Sequence, residues 1–476
     1  MTEASTSRAN MGFIGAIVAV ATIGGFLFGY DSGAVNGTQD GLTKAFGLVP
    51  GSWSPTNGLG FTVASLLIGC FIGAFFAGRL ADLMGRRNTM MVAAALFLFG
   101  ALVQGAAGSQ LVFVIARICG GMAVGAASVL SPAYISEVAP ASIRGRLTTV
   151  QQIMIITGLT AAFLVNYFLA KTAGASTSEF WGGIQAWRWM YLMQAIPAAI
   201  FLLALFMIPE SPRYLVSKGR EEKAESVLAS LFGSSVARAK LAEIKATFAE
   251  DHRPRLSDIK SPGGGIRKVV WAGIMLAVFQ QLVGINVIFY YGATLWQLAG
   301  FTEAQSLGIN IVSGAVSIAA CFLTIAVIDK IGRKPILLIG SAGMAVTLFV
   351  MVYAFSHGSL DPADSTKLVL SKDLGMVAVV AANLYVIFFN FSWGPVMWVM
   401  LGEMFPNQIR GSALAVAGFA QWFANFLISF SFPAMAAWSL TGSYVFYGVC
   451  AVISFFLVQK LVHETRGVEL EQMSGH

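Results

Sequence analysis

The sequence has few charged residues, few cysteines and few histidines. Only 11% of its 476 residues are Asp, Glu, Lys or Arg, against about 25% in a typical soluble domain. Its hydrophobic fraction of 57% is more than one water-facing globule can bury, because large cores split into domains with polar exteriors. This composition excludes a disordered protein, a disulfide scaffold and an ordinary cytosolic enzyme. It indicates a protein that crosses a membrane several times.

The number and positions of the cysteines and histidines argue against disulfide, metal and catalytic sites. The 4 cysteines lie in apolar stretches, so we expect no disulfide framework. The 4 histidines lie outside those stretches, and no His-x-x-x-His or Gly-x-Ser-x-Gly pattern falls at membrane depth. Metal-assisted and nucleophilic chemistry therefore lack their parts, and we expect no cofactor, no metal and no enzymatic activity.

Twelve apolar runs are long enough to cross a bilayer as helices, which requires about 20 residues. Helices are expected because an open strand leaves its backbone groups unpaired in lipid. The first run has no cleavage pattern, so it is interpreted as a span rather than a signal peptide. The predicted spans are 12–36, 58–81, 89–107, 111–136, 148–170, 188–208, 266–296, 305–328, 335–356, 375–403, 411–438 and 440–462.

The basic residues orient these spans. With both termini in the cytoplasm, Arg117 lies inside a span and 24 of the 30 basic residues fall on the inner side, a strong positive-inside bias. The net charge of +7 therefore reflects topology, and we expect no nucleic-acid partner. The outer side holds five basic residues: Lys44, Lys171, Arg188, Lys367 and Lys372.

One long polar segment, 211–268, divides the chain. It holds 12 Lys or Arg and 7 Asp or Glu. Apolar residues at helical spacing predict short cytoplasmic helices at Glu221–Phe232 and Ala237–Phe248. The segment could serve as a lid or simply as a solvated linker between two bundles, and the sequence leaves both open.

The two halves of the chain repeat each other at the inner ends of their spans. Asp-Leu-Met-Gly-Arg-Arg at 82–87 returns as Asp-Lys-Ile-Gly-Arg-Lys at 329–334, and Glu-Val-Ala-Pro at 137–140 returns as Glu-Met-Phe-Pro at 403–406. We therefore predict an all-α membrane protein of two six-helix bundles, 1–210 and 266–476, joined by a cytoplasmic helical linker, 211–265. Parallel repeats of this kind are typical of transporters that bind their substrate between the halves.

Acidic residues recur with the basic ones in these motifs, although acids contribute little to topology. We expect salt links between helices and between bundles that close the cytoplasmic side. The candidates are Asp82, Arg86, Arg87, Glu137, Arg144, Glu210, Arg213, Asp329, Arg333, Glu403, Arg410 and Glu464.

Asp31 and Arg117 are the only charges placed deep within predicted spans, where a charge normally faces a cavity or a partner. Glycines at four-residue spacing, Gly25, Gly29, Gly33 and Gly37, predict close packing along one face of the first span, and Asp31 points away from that face. Asp31 faces the cavity or the span that holds Arg117. The pair is interpreted either as a proton switch or as a static ion pair.

Neutral amides and tryptophans form the second polar group inside the spans. Amides both donate and accept hydrogen bonds, as sugar hydroxyls do, and tryptophan offers a flat apolar face with one donor. The alternatives are interhelical hydrogen bonds for the amides and lipid or core packing for the tryptophans. The candidates are Gln152, Gln280, Gln281, Asn286, Trp398, Gln421, Trp422 and Asn425.

Two spans contain residues that break helices. Gln281 and Asn286 lie about 140° apart on a regular helix, so a break at Gly284 is needed to bring both inward. Gly394 and Pro395 predict a similar break near Trp398, because proline removes a backbone hydrogen bond.

The chain resembles the sugar porters of the major facilitator superfamily. The resemblance rests on Gly-Arg-Leu-Ala-Asp at 78–82, Pro-Glu-Ser-Pro-Arg-Tyr-Leu at 209–215 and Gln-Gln-Leu-Val-Gly-Ile-Asn at 280–286, and it extends nearly end to end. It is similar to bacterial proton-coupled xylose and hexose symporters and, more distantly, to animal facilitative glucose carriers. The resemblance implies that Phe28 and Tyr290 line the cavity and that Tyr291 belongs to a gate. Ser317 stands where many relatives have asparagine.

These observations predict a secondary transporter that imports a neutral monosaccharide with a proton by alternating access. A facilitative uniporter is the alternative, and a non-transporting sugar sensor, a drug antiporter and a membrane enzyme rank below it. We expect a monomer in the lipid bilayer of a bacterial inner membrane. The sequence does not choose among xylose, glucose, galactose, arabinose and inositol, since these differ in single hydroxyl positions.

Overall fold

The computed structural model describes residues 10–140, 144–250, 255–365, 367–406 and 409–467, with side chains described outside 144–149 and 248–250. Over these residues the protein has 12 helical segments long and apolar enough to cross a membrane, as predicted. Their edges agree with the sequence to within a few residues, except that the first span continues to Phe46. That extension adds ten residues, including polar ones, to the predicted end at residue 36.

The spans are formed by fifteen helices, because three spans consist of two pieces. The first half contains α1 (Met11–Phe46), α2 (Leu59–Met84), α3 (Arg86–Ala106), α4 (Gln110–Val138), α5 (Arg144–Ala173), α6 (Ala186–Leu192) and α7 (Ala195–Leu205). The second half contains α11 (Lys268–Leu282), α12 (Ile285–Leu298), α13 (Glu303–Ile331), α14 (Arg333–Ser356), α15 (Lys372–Phe391), α16 (Trp393–Met404), α17 (Arg410–Trp438) and α18 (Leu440–Leu461).

Short elements fill the polar segment and two loops. The segment after α7 forms α8 (Pro212–Ser217), α9 (Glu221–Phe232), α10 (Ser234–Glu250) and a 3₁₀ turn at Leu256–Ile259, which confirms the predicted helices. Two small antiparallel hairpins pair β1 (Glu179–Trp181) with β2 (Ile184–Gln185) and β3 (Ser359–Leu360) with β4 (Leu368–Val369).

The breaks within spans have different causes. Gly284 is left-handed, with φ of 85° and ψ of 24°, and α12 begins immediately after it, so the predicted break is confirmed. The second predicted break lies at Ser392, not at Gly394 and Pro395, because these two residues occupy the first turn of α16. Proline is tolerated there, since the first turn needs no backbone donor from it. A third break, unpredicted, separates α6 from α7 at Met193 and Gln194.

Small residues set the close helix contacts, as the glycine pattern predicts. A Cβ on Gly33 would lie 2.5 Å from the Cβ of Ala162, and one on Gly37 would lie 2.5 Å from the side-chain nitrogen of Asn166. Both neighbours lie on α5. A Cβ on Gly125 of α4 would lie 2.0 Å from the carbonyl oxygen of Cys70 on α2. Because glycine has no side chain, the helices approach each other at these positions more closely than most other residues would allow.

The chain forms two compact units. The first comprises Met1–Asp31, Ile68–Gly158 and Tyr191–Arg253, and the second comprises Ser32–Leu67, Leu159–Met190 and Pro254–His476. Parts of α1 and α5 therefore belong to the same unit as the second half of the sequence. Compactness is a different property from sequence duplication, so the division into bundles 1–210 and 266–476 stays a prediction.

Candidate functional site

A chain of hydrogen-bonded amides runs through the second unit, with Asn286 at its centre. The Asn286 Nδ2 group donates to Gln281 Oε1 at 2.5 Å and to Asn425 Oδ1 at 2.7 Å. Asn425 Nδ2 in turn donates to the Tyr290 hydroxyl at 3.2 Å. All four side chains are buried. The break at Gly284 is what lets Gln281 of α11 and Asn286 of α12 meet.

Gln280 joins this network to two further helices. Its Oε1 accepts from Gln421 Nε2 and from Gln281 Nε2, both at 3.3 Å. Its Nε2 donates to the carbonyls of Trp393, at 2.9 Å, and Gly394, at 3.3 Å. These carbonyls follow the break at Ser392. The network carries no net charge and offers both donors and acceptors, which is the chemistry that a polyhydroxyl ligand needs.

The predicted aromatic residues lie in different environments. Trp398 is 40% exposed. Trp422 is half-buried on the same helix as Gln421 and Asn425. Phe28 on α1 and Gln152 on α5 are half-buried in the first unit. The structure thus brings together six of the predicted binding residues: Gln280, Gln281, Asn286, Tyr290, Gln421 and Asn425.

The predicted gate residue Tyr291 is fully buried in the second unit. Its hydroxyl donates to the Ser429 carbonyl at 2.5 Å, and its ring lies 5.3 Å from that of Phe432. Its backbone interrupts α12, with φ of −121° and ψ of 16°. Tyr291 therefore marks a second break in this span, seven residues after Gly284.

The intramembrane charges lie side by side in the first unit. Arg117 Nη1 is 3.5 Å from Asp31 Oδ2, and the two side chains are 2% and 0% exposed. This confirms the interpretation that Asp31 faces the span holding Arg117. Two glutamines that the sequence analysis missed complete the site. Gln194 Nε2 donates to Asp31 Oδ1 at 3.0 Å, and Gln104 Oε1 accepts from Arg117 at 3.4 Å.

The break between α6 and α7 places Gln194 beside Asp31. Gln194 is fully buried, and its own Oε1 has no hydrogen-bond partner among the described residues. Both missed glutamines share one signal: each is a buried amide in an apolar span. Asn390 is a third missed amide, and its Nδ2 donates to the Ser317 hydroxyl at 3.1 Å.

Two equivalent clusters lie at the span ends that the basic residues predict to be cytoplasmic, one in each unit. In the first unit Arg86 contacts Glu137 at 3.1 Å and Asp82 at 3.4 Å, and Glu137 also accepts from the Ser211 hydroxyl. Glu210 accepts from the backbone N–H of Arg87 at 3.0 Å, which satisfies a free donor at the start of α3. The cluster thus joins α2, α3 and α4 to the residues that precede α8 in the same unit.

The second unit repeats this arrangement. Arg333 pairs with Glu403 at 2.9 Å and with Asp329 at 3.1 Å, and Glu403 accepts from the Thr465 hydroxyl at 2.6 Å. Glu464 accepts from the backbone N–H of Arg333 at 3.1 Å. The predicted links between helices are therefore observed in both units. Links between the bundles stay a prediction.

The carboxyl of Glu464, which lies outside the spans, has a lowered pKa. Burial raises the pKa of its carboxyl, but backbone N–H groups that donate to it outweigh burial and hold the pKa below its ordinary value. The donors belong to Arg333, Arg466, Lys334 and Thr465.

Three further residues of the predicted inner set have other positions. Arg410 donates to the Phe405 carbonyl at 2.7 Å. Arg213 lies close enough to Glu137 to act on it electrostatically. The side chain of Arg144 lies outside the described residues, so its predicted link is not tested.

Comparison with known proteins agrees with this architecture. The family model described as sugar (and other) transporter matches residues 17–475. A glucose transport protein of Synechocystis sp. is 45% identical, covering 98% of both chains. The D-xylose-proton symporter of Escherichia coli (strain K12) is 38% identical over 98% of this chain and 96% of its own.

Solved structures match equally far. The xylose transporter XylE from E. coli, in its inward open conformation, superposes with a TM-score of 0.81 at 37% identity, covering 97% of this chain and 99% of that one. The same transporter bound to 6-bromo-6-deoxy-D-glucose gives 0.75, covering 98% of this chain and 99% of that one. With twelve spans, a duplicated set of inner motifs and a neutral amide network, the chain belongs to the sugar transporter family of the major facilitator fold.

Proposed function

We propose that the protein imports a neutral monosaccharide, a pentose or a hexose, together with a proton by alternating access. The observation that carries the proposal is the amide network around Asn286. Its members contribute donors and acceptors but no charge, so a sugar can be bound firmly enough to be selected and weakly enough to be released. A charged metabolite finds no counter-charge there.

Coupling to a proton is supported by the buried pair Asp31 and Arg117. A charge at this depth costs about 2.5–3.5 kcal/mol on insertion scales, so both charges are stable only while they face each other. If the distance between them changes with conformation, the proton affinity of Asp31 changes as well, and this links proton binding to transport. The E. coli relative is named a D-xylose-proton symporter, which supports the same assignment.

A facilitative uniporter is the second candidate. The Synechocystis relative is named a glucose transport protein, with no ion in its name. A pair that stays closed throughout the cycle would hold α1 against α4 and carry no proton. The two candidates therefore differ in one property, the use of a proton gradient.

Further assignments belong to the same proposal. The protein works as a monomer in a bacterial inner membrane with both termini in the cytoplasm, and it catalyses no covalent reaction. Trp398, Trp422, Phe28 and Gln152 complete the sugar site. Gly284 and Tyr291 move the outer part of their span as a gate, while the break at Ser392 serves the equivalent span of the same half.

Uptake by purified protein in proteoliposomes tests the proposal. A panel of labelled xylose, glucose, galactose, arabinose and inositol is offered with and without an imposed proton gradient. Accumulation of at least one sugar above its external concentration only when the gradient is present is expected. Equilibration that ignores the gradient supports the uniporter, and no flux of any member of the panel overturns the assignment as a sugar carrier.

A further inference from the structure

Two side-chain amides of α1 are inserted into the interrupted turn of α12. In a regular helix the N–H of Ala293 donates to the carbonyl of Phe289. Here Asn36 bonds both groups: its Nδ2 donates to the Phe289 carbonyl at 2.9 Å and to the Ile288 carbonyl at 3.2 Å, and its Oδ1 accepts from the Ala293 N–H at 2.7 Å.

Gln39 contacts the same turn one residue further along α12, through one backbone carbonyl and one side-chain hydroxyl. Its Nε2 donates to the Tyr290 carbonyl at 2.5 Å, and its Oε1 accepts from the Thr294 hydroxyl. Asn36 and Gln39 are three residues apart, so they project from one face of α1. Both are buried, at 0% and 2% exposure. We refer to Asn36 and Gln39, with the α12 backbone that they contact, as the amide clasp.

Neighbouring residues leave space for the clasp. A Cβ on Gly292 would lie 3.0 Å from Asn36 Nδ2 and 2.3 Å from Asn310 Oδ1, so glycine is needed for the amides to approach the backbone. Asn310 of α13 donates to Asn36 Oδ1 at 3.1 Å. Helix kinks have identifiable causes, and an inserted side chain is one of them.

The two breaks in this span differ in what maintains them. Gly284 is left-handed, a backbone conformation that glycine adopts without cost, so this break is a property of the span itself. Tyr291 has a negative φ that is accessible to any residue. The break at Tyr291 therefore depends on the amides of another helix, and it is stable only while α1 lies against α12.

We propose that Asn36 and Gln39 are positioning residues of the transport cycle, which hold α12 broken at Tyr291 in the closed state of the outer side and release it when that side opens. The inference rests on the proposed function, in which the outer ends of the two halves separate during the cycle. On release the amides leave, and the backbone of α12 can recover its own hydrogen bonds. Side-chain bonds are exchanged for backbone bonds, so the switch is nearly balanced and reversible.

The test compares Asn36→Ala with Asn166→Ala. Asn166 of α5 is an equally buried asparagine, at 1% exposure, and its Nδ2 donates to the Gly33 carbonyl of the same α1 at 2.7 Å. Both variants lose buried hydrogen bonds, but the bond of Asn166 joins two helices of the same half of the sequence. Only Asn36→Ala removes bonds between the halves.

The reporter is a single cysteine, Phe430→Cys, in a background without the four native cysteines. The ring of Phe430 packs 5.4 Å from that of Trp53, and its carbonyl lies 2.1 Å from a Cβ built on Gly60, so the position is covered by the first half of the sequence. The measurement is the rate of labelling by a membrane-impermeant maleimide applied to the outer side. It needs neither sugar nor proton gradient, so it is independent of the proposed function.

Asn36→Ala is expected to increase the labelling rate about tenfold or more, since it removes from the closed state three hydrogen bonds with α12 and one from Asn310, each worth about half a decade. Gln39→Ala is expected to shift the rate in the same direction, and it serves if Asn36→Ala does not fold. Sugar uptake should show a lower KM from outside and a lower kcat, because the closing step becomes unfavourable. A rate equal to that of the parent, or an equal increase in Asn166→Ala, overturns the proposal.

Discussion

Replacing Asp31 by asparagine separates sugar movement from proton movement. One charge crossing about 100 mV supplies about 2.3 kcal/mol, and at about 1.4 kcal/mol per tenfold this sustains roughly a 50-fold sugar gradient. The buried pair contains one carboxyl, Asp31 Oδ2 at 3.5 Å from Arg117, so a single substitution removes the titrating group. We expect accumulation to fall from about 50-fold to about one, while exchange of labelled for unlabelled sugar continues.

The structure also predicts what this substitution costs in stability. Removing one partner of a buried ion pair costs about 3–5 kcal/mol, because the other charge is left uncompensated. The double variant Asp31→Asn with Arg117→Gln removes both charges, while the asparagine oxygen can still accept from Gln194. We therefore expect the double variant to recover thermal stability without recovering accumulation.

The assay is sugar uptake in proteoliposomes with an internal pH dye. Asp82→Asn is the matched control, because it removes an acid that is 76% exposed and leaves the buried pair intact. The reasoning is refuted if Asp31→Asn still acidifies the vesicle interior during uptake and accumulates sugar as the parent protein does. It is also refuted if Asp82→Asn abolishes coupling to the same extent.

Three further outcomes follow from the geometry. Gly284→Ala forces an L-residue into a left-handed conformation with its Cβ 2.8 Å from the Tyr447 ring, so we expect a lower Tm in detergent and weaker sugar binding, whereas Gly308→Ala, with no atom within 4 Å of its Cβ, should change neither. Asn286→Leu removes the donor shared by two amides, and KM measured by uptake should rise about tenfold or more with a smaller change in kcat. Because the folded-state pKa of Glu464 is lowered, its stabilising contribution is present above the ordinary carboxyl range and is lost as the pH falls through the lowered value. The Tm difference between the parent and Glu464→Gln should therefore be largest near neutral pH and vanish in acid, and a difference that does not vary with pH would contradict this.

Sequence patterns were reliable for the spans and for the inner motifs. A span is recognised by the mean hydropathy of about 20 consecutive residues, and this average does not depend on which side chains pack together in the fold. The motifs at 82–87 and 329–334 repeat because each half meets the same two requirements. A carboxylate must accept from the free backbone N–H groups at a helix start, and another must pair with an arginine. The pairs Arg86 with Glu137 and Arg333 with Glu403 follow directly from that repetition.

Breaks within helices were predicted only where the local residue causes them. Gly284 has a left-handed backbone, and the sequence identified it. The break at Ser392 lies two residues before the predicted Gly394, because proline is accommodated in the first turn of the following helix. The break at Tyr291 escaped prediction altogether, since its cause is an amide of α1 more than 250 residues away in sequence.

The sequence by itself determined the number of spans, the duplication, the neutral character of the amide set and the presence of two charges within spans. It also predicts the orientation of the spans. Only the tertiary structure decided which amides hydrogen-bond to each other. It also decided that Gln194 and Gln104 hydrogen-bond to the charged pair, and that Asn36 and Gln39 hydrogen-bond to the backbone of another helix. The reason is physical. Hydropathy and helix-breaking residues act locally, whereas a buried amide can satisfy any donor or acceptor that folding brings near, and the sequence does not state which one that will be.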